Sequence, residues 1–394
     1  MAKNPRLWTP SFILLNVQFM LVTCVTAMFF PFHAYLGSLG FSAEAAGFII
    51  GADALASLFI QPMVSLWIHP GIARRWLVCG YLVFAAALFL EGQFTSYAFL
   101  LTARLLQGAG FSCIVSALIS MIVESIPSGM SGQAFGWTSL VRLIPYAAVP
   151  PLLDYFGVQP ASFGSLLQWV ALYALLPIVM VFFARQGTTM PVSSPPGMAG
   201  ALTSLRTPSV ILLLIASLLL YGGYAAAFFF LKELGTSLGI ANSGMFFTLA
   251  TLAMILTRLF GGPFFDRIDK VRLTTGCFVV IALSYAVLPL SVMPALFFAL
   301  AFLIGLGWGV VMPLQAAIMF DRSPVASRGL NQNLMLSMMQ AGFFAGPALA
   351  GVLLSTAGFV GLFFGAALAA LVAALATIAL RFFSNSCQPL LERS

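Results

Sequence analysis

Apolar stretches recur along the whole chain, and each is close to the roughly 20 residues that a helix needs to cross a bilayer. They predict twelve spans, at 11–36, 44–68, 76–94, 97–123, 134–154, 162–184, 208–231, 242–265, 273–291, 294–320, 331–354 and 359–381. Most gaps between them are short and hold Gly, Pro, Ser or Asn. The longest, 185–207, contains Val192, Ser193, Ser194, Pro195, Pro196 and Gly197. That composition cannot build a core and reads as a linker. The first run follows Lys3 and Arg6, leads straight into further spans and lacks a clear small-residue cleavage site. It therefore reads as a first span and not as a cleaved leader.

The pattern also repeats. Thr9-Pro10-Ser11-Phe12-Ile13-Leu14-Leu15 matches Thr207-Pro208-Ser209-Val210-Ile211-Leu212-Leu213 at an offset of 198. Beyond it the offset becomes 197 and aligns Gly47 with Gly244, Arg75 with Arg272, Gly108 with Gly305, Gly110 with Gly307, Pro127 with Pro324, Gly132 with Gly329 and Pro150 with Pro347. One gap suffices, and apolar drift would not align prolines, glycines and loop arginines. The expected organisation is an N-terminal six-helix half (1–184), a cytoplasmic linker (185–207) and a C-terminal six-helix half with a short cytoplasmic tail (208–394). The fold class is an all-α membrane protein of twelve transmembrane helices in two parallel-repeat halves.

Composition agrees. Apolar residues are 61% of the chain and charged residues 7%, against roughly 25% charged in soluble domains. Charge placement supplies orientation. With the N-terminus inside, Lys3, Arg6, Arg74, Arg75, Arg185, Arg206, Arg267, Lys270, Arg272, Arg322, Arg328, Arg381 and Arg393 fall on the cytoplasmic side, and only Lys232 falls outside. That positive-inside bias accounts for the net charge of +7 without any nucleic-acid partner. The five cysteines form no CxxC and lie near no histidine, so neither a disulfide framework nor a metal site is expected.

Local motifs carry a family resemblance. Gly262-Pro263-Phe264-Phe265-Asp266-Arg267-Ile268-Asp269-Lys270-Val271-Arg272 follows span 8, and Arg104-Leu105-Leu106-Gln107-Gly108-Ala109-Gly110 lies in span 4. With the two parallel halves, these resemble the major facilitator superfamily over essentially the whole chain, most closely its bacterial efflux permeases. The resemblance implies that Asp266, Arg267 and Arg272 form a gate loop, with Arg75 as the surviving first-half counterpart and Arg258 as a brace. The first-half loop has His69 and Pro70 where Asp-Arg would stand, and Ser65 in place of the Gly. The resemblance further implies a helix break at Pro150 in span 5 and at Gly346-Pro347 in span 11. It also places spans 1, 4, 7 and 10 around a cavity, which makes Gln18, Gln107, Tyr224 and Gln315 substrate-cavity residues.

Charges inside the membrane are costly and mark function. Arg104 and Asp53 lie roughly 10 and 13 Å below the outer surface at 1.5 Å per residue, the best-matched opposite pair. The expectation is that they pair, and that protonating Asp53 releases Arg104. His33, near the same depth, either relays protons or is a hydrogen-bonded interface residue. Arg142 lies near mid-membrane with no matching acid. It meets either an anionic substrate or backbone carbonyls at a helix break. The chain has no GxxxxGK[ST] engine and no nucleophile–base or metal spacing. An enzyme is not expected, and no cofactor is implied. The leading reading is a monomeric secondary transporter in the bacterial inner membrane, exporting small molecules by alternating access coupled to protons. Organic-anion uptake by symport, lipid or glycolipid flipping, and a transport-dead sensor on the same fold are the alternatives.

Overall fold

The computed structural model describes residues 7–29, 31–41, 43–127, 129–156, 158, 162–183 and 197–383. Within them the chain is helical and contains no strand. Every expected span has a helical counterpart, but two spans are broken. Span 1 is α1 (Pro10–Ala27) followed by α2 (Phe32–Ser38), instead of one helix through 36. Thr9 caps α1, its Oγ1 accepting from the Phe12 amide at 3.2 Å, and Pro10 suits the first turn. Pro31 stands at the start of α2 and has no N–H to carry a helical ladder across the joint. Span 6 is α7 (Phe163–Tyr173) followed by α8 (Leu176–Phe183). Pro177 explains the gap: it cannot donate to the Tyr173 carbonyl, and its ring crowds that same carbonyl.

The remaining helices are α3 (Ala43–Trp67), α4 (Pro70–Gln93), α5 (Tyr97–Ser125), α6 (Ser131–Tyr155), α9 (Gly197–Arg206), α10 (Pro208–Ser237), α11 (Met245–Phe265), α12 (Lys270–Val287), α13 (Pro294–Arg322) and α14 (Arg328–Ala379). Helix α9 occupies the later part of the segment that composition reads as a linker. The last two spans form the single element α14, interrupted only at Gly358, with φ 64° and ψ −167°. The backbone stays helical through Gly346 and Pro347, and through Pro150 in α6. The breaks expected at those prolines do not interrupt the helical backbone, and the interruption at Gly358 falls in the gap expected between the last two spans. A proline inside a membrane helix is tolerated where neighbours re-satisfy the freed carbonyl.

Nine helices of the described residues are long and apolar enough to cross a membrane, with the two spans of α14 counted once. Large apolar side chains such as Phe59, Trp67, Phe182, Phe260 and Phe344 are exposed, as lipid permits and water does not. The chain is a multi-pass membrane protein.

Its contacts divide into two compact units. One comprises Met1–Pro127 and Leu140–Ala201, the other Ser128–Ser139 and Leu202–Ser394. The first turns of α6 thus cluster with the second unit, whereas the boundaries drawn from sequence leave the whole of span 5 in the first half.

The repeat survives in helix packing. A Cβ on Gly108 would lie 2.2 Å from the Asp53 carbonyl oxygen, and one on Gly305 would lie 2.4 Å from the Ala250 carbonyl oxygen. Both members of the second pair sit 197 positions after those of the first. A Cβ on Gly110 would likewise meet Gly80 and Phe84 of α4, and one on Gly307 would meet Cys277 and Ile281 of α12. Small residues let helices approach backbone to backbone in lipid. Each unit uses them at matching positions.

Candidate functional site

In the first unit, Arg104 of α5 is 4% exposed, and four of its five N–H donors are engaged. Its Nη2 lies 2.8 Å from Asp53 Oδ1 and donates to the Ile50 carbonyl at 2.9 Å. Its Nε donates to the Ile49 carbonyl at 3.3 Å, and its Nη1 donates to Gln107 Oε1. The close approach at Gly108 brings the α3 carbonyls within reach, and Ser57 Oγ tightens the seam by donating to the Gly108 carbonyl at 3.1 Å. Phe29 and Phe32 cover the guanidinium, with ring centroids 4.7 and 5.3 Å from its carbon. Those two rings come from the joint between α1 and α2, so the broken first span is what folds aromatic faces over the cation. Asp53 is less enclosed, its side chain 34% exposed.

The packing does not demand these charges. The repeat places Ala250 and Ala301 at the positions of Asp53 and Arg104, 1% and 0% exposed.

The first unit buries a third ionisable group, and the sequence pattern does not single it out. Glu91, in the last turn of α4, is 0% exposed, and neither carboxylate oxygen has a hydrogen-bond partner among the described residues. Its repeat counterpart is Leu288, also fully buried.

Other expected residues are more dispersed. Arg142 is half-buried, its guanidinium carbon 4.8 Å from the Phe19 ring centre of α1. Gln18 on α1 is fully buried, and its amide has no partner among the described residues. Gln107 is committed to Arg104. In the second unit, Gln315 accepts from Ser217 Oγ at 3.2 Å. Tyr224 sits in an aromatic group with Phe228, Trp308 and Phe343, the Trp308 ring centre 4.5 Å away. His33 lies on α2 and Pro150 on α6, and their side chains are outside the described residues.

Asp266, from the expected gate loop, belongs to a charged junction in the second unit. Asp266, just past α11, accepts from the Gly132 amide at 2.7 Å and the Gln133 amide at 2.9 Å. These are first-turn amides of α6, which have no acceptor within their own helix. A carboxylate there also meets the positive end of the helix dipole. Gly132 gives the room, since a Cβ on it would lie 2.7 Å from Asp266 Oδ1. Lys270 Nζ lies 3.2 Å from Asp266 and 2.7 Å from Asp321, and donates to Ser131 Oγ at 2.8 Å. Ser131 in turn donates to Asp321 at 2.7 Å. Arg258 of α11, 4% exposed, donates to the Ser139 carbonyl at 3.0 Å.

Not every expected member joins the junction. Arg267 is exposed, and Arg75 is exposed on α4 in the other unit. Arg272 pairs with Asp269 at 3.5 Å instead. Sequence reasoning does not mark Ser131 or Asp321 for this junction. Both stand near helix ends, at positions that read as solvated.

Asp269 caps α12, accepting from the Val271 and Arg272 amides at 3.0 and 3.1 Å, and also pairs with Arg381. Burial works to raise its pKa. It is outweighed by the Arg272 amide, the Arg381 guanidinium, the Val271 amide and the Arg272 side chain, which hold the carboxyl below the usual range. A lowered value stabilises the fold above the ordinary carboxylate range, near pH 4. That gain disappears as pH falls through the lowered value. Asp269→Asn is therefore expected to lower the melting temperature at neutral pH, and the gap from wild type should close under strong acid. The effect is below about 1 kcal/mol, because the group is surface-exposed. Melting curves across a pH series check it.

The Major Facilitator Superfamily profile matches residues 12–330 and 213–389. A staphylopine export protein of Staphylococcus aureus strain Mu50 is 22% identical over 362 residues, covering 88% of this chain and 89% of its own. Among solved structures, the human organic anion transporter MFSD10 matches with a TM-score of 0.78 at 15% identity, over 94% of this chain and 100% of that one. The transporter FucP in its outward conformation matches at 0.79 with 13% identity, over 97% and 100%. At these identities the solved structures speak for the fold alone. The profile spans both repeated halves, and with the helical architecture it places this chain in the Major Facilitator Superfamily, as a membrane transporter of the secondary kind that handles small molecules.

Proposed function

We propose that the protein exports small molecules by alternating access coupled to protons, working as a monomer in a bacterial inner membrane with both termini cytoplasmic. The observation that carries this reading is the Asp53–Arg104 ion pair, held where the repeat has Ala250 and Ala301. Burying opposite charges costs several kcal/mol of desolvation and gives weak net stability. Charge kept at a position where alanine packs is kept for work. Protonating Asp53 removes the countercharge of Arg104 and loosens the seam between α3 and α5. The Asp266 junction is the gate lock, and releasing it frees the first turn of α6. The staphylopine exporter among the relatives supports outward transport.

The test is substrate-driven proton movement in proteoliposomes, with staphylopine, organic acids, sugars and drugs as probes. Export by antiport moves protons opposite to substrate. Asp53→Asn is expected to cut pH-driven transport about a hundredfold, the lower end of the scale of a general acid–base group, and to flatten its pH profile. An unchanged profile in Asp53→Asn sinks the coupling role.

Organic-anion symport is the second reading. It is favoured by Arg142, a half-buried cation whose only described stacking partner is Phe19. In the same assay, protons moving with an anionic probe select it.

A further inference from the structure

Glu91 is the buried ionisable group for which neither packing nor the Asp53–Arg104 pair accounts. Four elements enclose it. A Cβ on Gly164 of α7 would lie 3.3 Å from both the Gly92 carbonyl oxygen and the Tyr35 hydroxyl of α2. Phe32 packs on Tyr35 and covers Arg104 of α5, and Arg104 holds Asp53 of α3. The Glu91 charge therefore interacts with all three groups. Helix α7 brings Gly164 and Gln168, neither of which titrates. Helix α2 also carries His33, whose side chain is outside the described residues.

The seal at this end is tight. A Cβ on Gly92 would lie 2.5 Å from the Gly164 carbonyl oxygen, and Gln168 donates to the Gly92 carbonyl at 3.2 Å. Tyr35, Phe32 and Phe163 pack together over it, the Tyr35 and Phe163 ring centres 5.2 Å apart. An ionised carboxylate without hydrogen bonds in such a place is prohibitively costly. The group must carry a proton or take a cation. Arg104 is the cation in reach. Of its five N–H donors, four are engaged, and one on Nη1 remains uncommitted among the described residues.

We propose that Glu91 is a proton-carrying carboxyl that exchanges with Asp53 as the partner of Arg104. This deepens, and rests on, the proton-coupled reading. While Asp53 is ionised and holds the guanidinium, Glu91 keeps its proton on a carboxyl oxygen. When the proton passes from the Glu91 carboxyl to Asp53, Glu91 is left ionised and accepts the guanidinium that Asp53 gives up. The cluster then holds one proton, one carboxylate and one guanidinium in either state, so its net charge is unchanged. What changes is whether the proton sits on the sealed carboxyl or on the partly exposed one. The repeat argues that the carboxyl is there for this purpose, because Leu288 fills the same slot with no polar group.

The test is infrared spectroscopy of the full-length protein in liposomes at neutral pH, following the carbonyl stretch of protonated carboxyls. Glu91→Gln is expected to lose one such band. Asp53→Asn is expected to lose the same band, because Arg104 is then left to Glu91. Glu91→Leu, the residue of the repeat, should lose the band while keeping the wild-type melting temperature, which separates the result from misfolding. A band that persists in Glu91→Gln and Glu91→Leu overturns the proposal, and a band kept in Asp53→Asn overturns the exchange. The measurement uses no substrate and no gradient. Its outcome is therefore distinct from the flux assay, where antiport itself stands or falls.

Discussion

Replacing Gly108 with alanine is expected to destabilise the protein and alter the pH dependence of transport, whereas Gly305→Ala should destabilise it similarly and leave the pH dependence alone. The two glycines are repeat partners, with near-identical clashes of 2.2 and 2.4 Å against a facing carbonyl oxygen. Contacts that short with backbone force helices apart, and overpacking of this kind costs about 1–3 kcal/mol. At Gly305 the separated helices, α11 and α13, present Ala250 and Ala301. At Gly108 they are α3 and α5. Moving them stretches the Asp53 ion pair and the Arg104 bonds to the Ile49 and Ile50 carbonyls. Melting temperatures and pH profiles of both variants make the comparison. Equal shifts of pH profile would show that Arg104 has no special role in coupling.

Asp266→Asn is expected to carry the other large effect. The substitution removes the acceptor of the Gly132 and Gln133 amides as a charge, and leaves Lys270 with Asp321 alone. Asp266 and Lys270 are 14% and 15% exposed, so most of their solvation is already lost. Removing one partner of such a pair costs about 3 kcal/mol. Amide hydrogen exchange at Gly132 and Gln133 should quicken by about a hundredfold, while amides deep in α6 change little. Arg267→Gln, outside the junction, should leave both rates as in wild type. If exchange at Gly132 does not respond to Asp266→Asn, the carboxylate is not what holds the first turn of α6.

Much of this was legible in the sequence. Hydropathy located every span, and the repeat aligned the glycines that the structure places at helix contacts. Depth matching brought Asp53 to Arg104. Proline was the weak signal. Pro62, Pro313 and Pro347 lie inside continuous helices, while Pro31 and Pro177 stand where a new helix starts after a break. The residue is the same, and neighbours decide whether its lost hydrogen bond is repaired. Glu91 escaped for a related reason. It stands two residues before the end of α4, where an acid reads as solvated. Its burial comes from α2 turning over it and from the Gly92–Gly164 approach, both tertiary events with no local mark. Asp321 and Ser131 escaped likewise, since a helix-end acid and a helix-start serine are ordinary until Lys270 is placed between them.

The turn at Gly358 has a mechanical meaning. Two membrane-length arms of α14 meet at one non-helical residue, in a backbone region that is essentially open to glycine alone. They fold back at once, for a Cβ on Gly365 would lie 2.7 Å from Leu353 Cδ1, far nearer than a straight helix would bring positions twelve apart. With no loop between them, the last two arms can move apart only by rotation about this one residue, so the packing of Leu353 against Gly365 sets how far they open.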